Sequence, residues 1–226
     1  MAVYALDEYH MAFPDPELAD ENGLIAVGGR ISEDWLLLAY ESGIFPWSAP
    51  DEPLLWWSPD PRCVLLPDEV RVHKSMGSVL NRPDWTFRMD TAFGEVVEQC
   101  SAVGTRKGNT WIDPQLKSAY GGLHRAGVGH SAEVWCESRL IGGLFGVSLG
   151  AAFFGESMFS LEDNASKYAL IHFCRWLSLR DFHFVDCQIP SPHLHRMGAK
   201  DIPRSEFLDL LHTALEEETY LGVWKP

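Results

Sequence analysis

The second half of the chain combines apolar strand-like runs with a clear helical pattern. A run of aromatic and small residues from 151 to 160 is typical of a buried central strand. Apolar residues recur at helical spacing from Asn164 to about Leu179, and a further strand is predicted from His183 to Gln188. Glu156 and Asp186 fall inside the two predicted strands among apolar neighbours. Both carboxylates are therefore expected to be buried, which is costly for an acid that lacks a partner.

The rest of the pattern predicts an α+β protein in two parts. Residues 1–60 form a small N-terminal α/β domain, with a strand at 23–29 and a helix from Ser32 to Ser42 that Gly43 terminates. Prolines around Asp60 mark the boundary with the second domain, residues 61–226. The second domain is expected to contain strands at 63–66, 131–135 and 140–148, and helices from Asp90 to Cys100, from Pro114 to Ala126 and from about Ser205 to Leu221.

Composition places the chain among ordinary globular proteins. Of its 226 residues 46% are hydrophobic, which is ample for a core. The N-terminus lacks the basic and apolar regions of a secretory signal, and the apolar stretch 140–154 is short for a membrane span and interrupted by glycines. We expect a cytoplasmic protein with no membrane association.

The five cysteines do not suggest a disulfide framework or a metal site. Their number is odd, no C-x-x-C occurs, and the chain carries no signal for export. His193 and His195 near Cys187 form only a weak zinc pattern, because no second pair of ligands accompanies them. The sequence therefore predicts buried thiols and no metal.

Seven segments together resemble one enzyme family. They are NGLIAVGG, AYESGIFPW, LLWWSPDPR, TWI, GESMFS, NASK and VDCQ, and in this order they resemble the leucyl/phenylalanyl-tRNA–protein transferases over nearly the whole chain. The resemblance implies transfer of Leu or Phe, and also Met, from aminoacyl-tRNA to the N-terminal amine of proteins that begin with Lys or Arg. Such transfer marks proteins for degradation by the N-end rule pathway. By fold analogy, residues 61–226 look like a GNAT-like acyltransferase domain.

The resemblance also assigns roles to residues. Glu156 is expected to hold the amino group of the donor, while Asp186 and Gln188, on one face of their strand, act on the attacking amine as catalytic residues. The terminal adenosine of the tRNA is expected to stack on aromatic residues at Tyr40, Trp47 and Trp111, with the N-terminal domain contributing to this platform. The pocket for the aminoacyl side chain is assigned to Leu144, Phe153, Met158, Leu170, Phe173 and Val185.

A formal net charge of −14 fits the two substrates unequally. It suits a cationic peptide acceptor, but a tRNA needs localised cations. The predicted contacts to the tRNA backbone are Arg62, Arg71, Lys74 and Arg82, with further cations at His73, Arg88, Arg106 and Lys107.

No cofactor is expected. The Gly-rich pyrophosphate loop of acetyl-CoA-dependent relatives of the fold is missing, so CoA is not the expected donor. The protein is expected to act as a monomer.

Three alternative functions stay open at the level of sequence. Another aminoacyl-tRNA-dependent transferase that forms peptide bonds, such as the peptidoglycan type, shares the donor, but its chains are typically longer and duplicated. A cysteine hydrolase would use Cys187 and His193. A non-catalytic module for basic protein N-termini would need Glu156 and Asp186 but no aromatic platform.

Overall fold

The computed structural model describes residues 3–49, 52–103 and 110–226 and contains two β-sheets. The smaller sheet has the strand order β1-β2-β4-β3, with β1 and β2 parallel and the other pairs antiparallel. Its strands are β1 (Tyr4–Leu6), β2 (Leu24–Gly28), β3 (Phe45–Pro46) and β4 (Leu55–Trp57).

Helix α1 (Glu33–Glu41) connects β2 to β3 and has the ends that the sequence predicts. The Ser32 hydroxyl accepts the backbone N–H of Trp35 at 3.3 Å, as an N-cap does. After the helix, Gly43 has a φ of 72°, a left-handed conformation that favours glycine.

The larger sheet has the strand order β11-β5-β10-β9-β8-β7-β6. Among the described strands of this sheet only β9 and β10 pair in parallel, and helix α5 forms the crossover between them. The strands are β5 (Arg62–Leu65), β6 (Trp85–Met89), β7 (Gly129–Cys136), β8 (Arg139–Leu149), β9 (Ala152–Ser160), β10 (Phe184–Gln188) and β11 (Lys200–Ile202). The helices of this part are α2 (Met76–Leu80), α3 (Phe93–Ala102), α4 (Pro114–Arg125), α5 (Ala165–Ser178), α6 (Pro192–Met197) and α7 (Arg204–Leu215).

The start of α3 differs from the prediction because Asp90 is used elsewhere. Its carboxylate accepts the backbone N–H of Ser131 at 2.8 Å and contacts the His130 ring at 2.9 Å. The helix begins three residues later, and a buried carboxylate on β7, Glu133, accepts the N–H groups of the two residues that precede Phe93. A long-range partner has therefore replaced the local cap.

The last helix is shorter than predicted, and the chain after it returns to the core. Helix α7 ends at Leu215 instead of Leu221. The returning segment buries Trp224, whose ring stacks on His130 with 3.5 Å between centroids and on Trp176 with 4.6 Å. Its backbone N–H donates to Asp90 at 2.7 Å.

Buried apolar side chains form two clusters. The first includes residues of the smaller sheet and of α1, α3, α4 and α7, and also residues of the larger sheet such as Phe145 and Phe154. The two sheets therefore share one core. The second lies around α5, with Trp224 among its members. No helix within the described ranges is long and apolar enough to cross a lipid bilayer.

Candidate active site

A continuous chain of buried polar groups lies where β9, β10 and β5 are neighbours. Glu156 lies in β9, Asp186 and Gln188 in β10, and Arg62 at the start of β5. All four side chains are buried. The structure thus brings the three predicted catalytic residues together and adds a cation.

The Glu156 carboxylate accepts hydrogen bonds from neutral donors. The Tyr120 hydroxyl donates at 2.6 Å and the Gln188 side-chain amide at 2.7 Å. Since a phenol has one proton, which Tyr120 gives to Glu156, the Tyr40 hydroxyl donates to that of Tyr120, 3.1 Å away. Burial raises the pKa of Glu156 to about 7, although the polar neighbours Tyr120, Tyr40 and Gln188 favour the charged form and oppose the shift. Glu156 therefore changes protonation near neutral pH.

Asp186 pairs with a cation. The guanidinium of Arg62 donates to both carboxylate oxygens, from Nε at 2.9 Å and from Nη2 at 2.7 Å. Its remaining nitrogen, Nη1, donates to the Gly43 carbonyl at 3.1 Å. The guanidinium also lies over the rings of Phe45 and Phe207, 4.8 and 4.3 Å from their centroids. This bidentate pair holds Asp186 in one orientation.

An irregularity at the end of β10 orients the Gln188 side chain toward Glu156. Between Asp186 and Gln188 the register with β5 shifts, so that Cys187 is an extra residue, and Gln188 has a φ of 62°. The Gln188 backbone N–H donates to Asp186 Oδ1 at 2.9 Å, while its side chain extends to Glu156. Asp186 therefore contacts Gln188 through the backbone, and Glu156 contacts it through the side chain.

An apolar cavity of about 260 Å³ opens beside Glu156. All six residues predicted for the aminoacyl pocket line it: Leu144, Phe153, Met158, Leu170, Phe173 and Val185. The wall is completed by residues that were not predicted, among them Phe145, Cys187 and, at the start of α6, His193 and Leu194. Shape and polarity suit a medium-sized apolar side chain whose attached amino group faces Glu156.

A second, larger cleft of about 670 Å³ contains two of the three predicted stacking residues. Trp47, with 44% of its surface exposed, and Trp111 both line it, together with Arg30 and Gln115. Tyr40 does not, because it is completely buried and hydrogen-bonded to Tyr120. The structure therefore places Tyr40 in the Glu156 network and not on the aromatic platform.

The predicted phosphate contacts divide into three groups. Arg62 is a correction: it has no exposed surface and is held by Asp186, so a phosphate cannot reach it. Arg71 and Lys74 are exposed, and within the described ranges neither forms an ion pair with a carboxylate. Arg82 pairs with Asp84, whose pKa it lowers to about 2. Arg106 and Lys107 lie outside the described residues.

Cys187 has the environment of an unreactive thiol. A hydrogen bond with the Cys63 thiol and burial raise the pKa of Cys187 well above its ordinary value. A nucleophilic cysteine needs the opposite shift. His193, which a cysteine hydrolase would use as base, has its pKa lowered by burial and by the charges of Lys167 and Arg196.

Tyr120 is the main site residue that the sequence did not suggest. It shares the buried face of α4 with Leu116, Ala119 and Leu123, and the helical pattern by itself gives it no role beyond the core. A buried phenol usually requires a hydrogen-bond partner, and Glu156 was one of the two carboxylates expected to be buried without a known donor. That requirement was the available signal.

Comparisons with known proteins agree on one family. The family model described as leucyl/phenylalanyl-tRNA protein transferase matches residues 64–212, and that of its N-terminal domain matches residues 29–60. A leucyl/phenylalanyl-tRNA–protein transferase of Desulfatibacillum aliphaticivorans is 48% identical over 225 residues, 99% of this chain and 96% of the relative. One of Azoarcus sp. (strain BH72) is 52% identical over 198 residues, 87% and 84% of the two chains.

A solved structure of a functionally unknown conserved protein from Staphylococcus epidermidis ATCC 12228 gives a TM-score of 0.43 at 9% identity. The alignment covers 80% of this chain and 68% of that one. This likeness is too distant to assign the fold.

Proposed function

The chain belongs to the leucyl/phenylalanyl-tRNA–protein transferase family and is an aminoacyl-tRNA–protein acyltransferase; from this premise we propose how its site works and which acceptors it selects. The donor is leucyl-, phenylalanyl- or methionyl-tRNA. The acceptor is the N-terminal amine of a protein that begins with Lys or Arg, and the product enters the N-end rule pathway. The observation that carries the proposal is the apolar cavity that opens beside Glu156, itself bonded to Gln188.

The cavity and Glu156 together hold the aminoacyl group. The apolar walls take the Leu, Phe or Met side chain, and a charged side chain is rejected because burying an unpaired charge is costly. Glu156 holds the donor α-amino group. Because the tyrosine and amide donors are neutral, the deprotonated Glu156 carboxylate has a negative charge that a cationic amine can neutralise.

The larger cleft holds the terminal adenosine of the tRNA. Trp47 and Trp111 supply ring faces on which a base stacks without regard to its identity. Arg71, Lys74 and Arg82 are the proposed contacts to the tRNA backbone. With so few cations, binding should depend on only a few phosphates.

Gln188 acts on the attacking amine. Its amide nitrogen donates to Glu156, so the amide oxygen is left to accept a hydrogen bond from the acceptor amine. The amine, whose pKa in water is about 8, attacks the ester carbonyl. A C–N bond forms, the C–O bond to the ribose breaks, and the amine proton passes to the ribose oxygen. Asp186, held by Arg62, accepts the Gln188 backbone N–H and so fixes Gln188 in position for the attacking amine.

This chemistry needs no cofactor. Attack of an amine on an aminoacyl ester is downhill, so the protein mainly positions the two substrates, and CoA has no place in the reaction. A chain of net charge −14 attracts a cationic N-terminus.

The division of the chain and its fold remain part of the proposal. We assign residues 1–60 to a domain that contributes the adenosine platform and residues 61–226 to a GNAT-like catalytic domain. The parallel pair β9 and β10, joined by α5 within an otherwise antiparallel sheet, supports the GNAT-like assignment. We also infer that the enzyme acts as a monomer in the cytoplasm, where charged tRNA is available.

The test measures transfer of labelled leucine from leucyl-tRNA to a peptide that begins with Arg. Gln188→Met keeps the length of the side chain but removes the amide, and should lower kcat roughly 100-fold or more if the amide acts in the transition state. Gln99→Met, in α3 and not among the residues that line either described cavity, is the matched control and should retain the parental rate. A Gln188→Met enzyme that folds and turns over at the parental kcat would remove Gln188 from the chemistry. Absence of transfer by the parental enzyme itself would refute the function.

A further inference from the structure

Three side chains of different chemistry converge at the far edge of the larger sheet. The Cys63 sulfur, an imidazole nitrogen of His195 and a carboxylate oxygen of Asp201 all lie within 4.8 Å of one another. Cys63 in β5 and Asp201 in β11 are directly paired across the antiparallel ladder, so their side chains lie on the same side of the sheet. His195 approaches from α6.

The three groups lie at different depths. Cys63 is completely buried, whereas the side chains of His195 and Asp201 are 43% and 31% exposed. His195 Nε2 contacts Asp201 Oδ1 at 2.8 Å, which by itself would be an ordinary surface pair. The buried sulfur beneath this pair gives the group a third donor and an inner wall. An ion could therefore enter from solvent on the histidine and aspartate side.

We propose that Cys63, His195 and Asp201 form a structural binding site for a zinc-like divalent cation. Thiolate, imidazole and carboxylate are the protein ligands of Zn²⁺, and tetrahedral coordination at the usual bond lengths separates donor atoms by roughly 3.3–3.6 Å. The present separations, up to 4.8 Å, require the sulfur to approach and the 2.8 Å pair to open slightly. Water takes the fourth position.

A second thiol lies beside the sulfur ligand. Cys187, the extra residue at the irregularity of β10, neighbours Cys63, and its own thiol contacts the Val185 carbonyl at 3.8 Å.

The position of the site indicates what it would stabilise. The ligands join β5, α6 and β11, and α6 also carries His193 and Leu194 of the apolar cavity. Cys63 directly follows Arg62, the partner of Asp186. A bound ion would therefore tie the wall of the aminoacyl pocket to the strand that positions Asp186, and would take no part in the chemistry.

Cobalt(II) is the probe, because a thiolate–cobalt bond has a charge-transfer absorption that other ligands do not produce. Untagged, chelator-treated protein with reduced thiols is titrated with Co²⁺ and then with Zn²⁺. We expect one Co²⁺ per chain, the thiolate band, displacement by Zn²⁺ and a rise in Tm with Zn²⁺. Cys63→Ser should remove the band, and His195→Asn and Asp201→Asn should each weaken binding at least tenfold.

Two controls separate this site from other thiols. Cys136→Ser removes a cysteine that contacts a carboxylate, Asp84, but is not part of the cluster, and should leave the titration unchanged. Cys187→Ser should keep the stoichiometry. Because His195 is exposed, its variant should fold even if Cys63→Ser does not. Absence of a stoichiometric thiolate band, or a band that persists with unchanged affinity in His195→Asn and Asp201→Asn, overturns the proposal.

Discussion

Glu156 and Asp186 are both buried in neighbouring strands, yet their surroundings differ in kind. Asp186 is held by both arms of the Arg62 guanidinium. Among the residues that the structure describes, the donors to Glu156 are neutral, the Tyr120 hydroxyl and the Gln188 amide, and burial raises its pKa to about 7. Gln188 joins the two regions, since its side chain contacts one acid and its backbone the other.

The difference shows that burial alone does not define the role of an acid. A carboxylate with its own buried cation is kept in place and has little charge to offer a ligand. A carboxylate among neutral donors keeps a charge that a bound amine can neutralise, and its protonation responds to pH. In this site Asp186 is accordingly the fixed element and Glu156 the group that responds to the substrate.

The largest effect is expected from removing the cation at the Asp186 end. Arg62→Met leaves Asp186 buried without a partner and should lower the free energy of unfolding by about 3–5 kcal/mol. Urea denaturation at pH 7 measures it. Lys117→Met, which breaks the exposed pair with Glu98, is the control and should cost less than about 1 kcal/mol.

The double variant Arg62→Met/Asp186→Asn sharpens this comparison. Because neither charge is then left alone, we expect it to be more stable than the sum of the single changes predicts. Strict additivity would mean that the two side chains do not depend on each other, contrary to their geometry.

The next largest effect should appear at the Glu156 end as a pH dependence. The pKa of Glu156 lies above its unfolded value, so the folded state retains a proton that the unfolded state has lost between pH 4.5 and about 7. Stability from this group is therefore present at low pH and falls as pH rises through that window, by roughly 3 kcal/mol in total.

Glu156→Gln removes this titration. The free energy of unfolding is measured by urea denaturation from pH 4.5 to 8 for the variant and the parent. The value for the variant minus that for the parent should increase steadily up to about pH 7 and then stay constant. A constant difference across this range would contradict the raised pKa.

A smaller effect is expected from Tyr120→Phe. The change removes one donor to Glu156 and should cost roughly 1–2 kcal/mol above pH 7, where the carboxylate is charged. Since the lost hydrogen bond favours the charged form, the pKa of Glu156 should rise further. In a plot of kcat against pH, the rise on the acidic side (the acid limb) should therefore move to higher pH. Tyr40→Phe, one hydrogen bond further from the acid, should shift the limb less. Equal shifts for both variants would contradict this order, and no shift in either would show that the two hydroxyls do not act on Glu156.

The apolar cavity was the part of the site that the sequence predicted best. Its residues belong to β8, β9, α5 and β10, and all four elements have the predicted bounds within about one residue. All six assigned residues line it, because regular periodicity determines which side chains face inward together. The assignment itself came from the family resemblance, since periodicity does not distinguish a core from a pocket.

Contacts between distant segments were not predictable in the same way. Arg62 follows a proline-rich turn and looked like a surface cation, but its partner lies 124 residues away. Tyr40 was separated from the aromatic platform by a contact with Tyr120, 80 residues away. The predicted start of α3 at Asp90 was wrong for the same reason, since the Asp90 carboxylate accepts a hydrogen bond from Ser131 in β7 instead of capping α3. Local pattern carries no information on which distant group satisfies a buried polar atom.

The burial of Trp224 has a consequence for how the protein is made. A ribosome synthesises the chain from its N-terminus, so Trp224 emerges after every strand and helix against which it packs. Until then the rings of Trp176, Phe182, Phe153 and Phe173 lack the indole that packs against all four, and the last two also belong to the wall of the apolar cavity. A nascent chain that stalls before this residue would present an open aromatic surface, which is the kind of surface that chaperones bind. The packing behind the pocket wall is thus complete only after translation has passed Trp224.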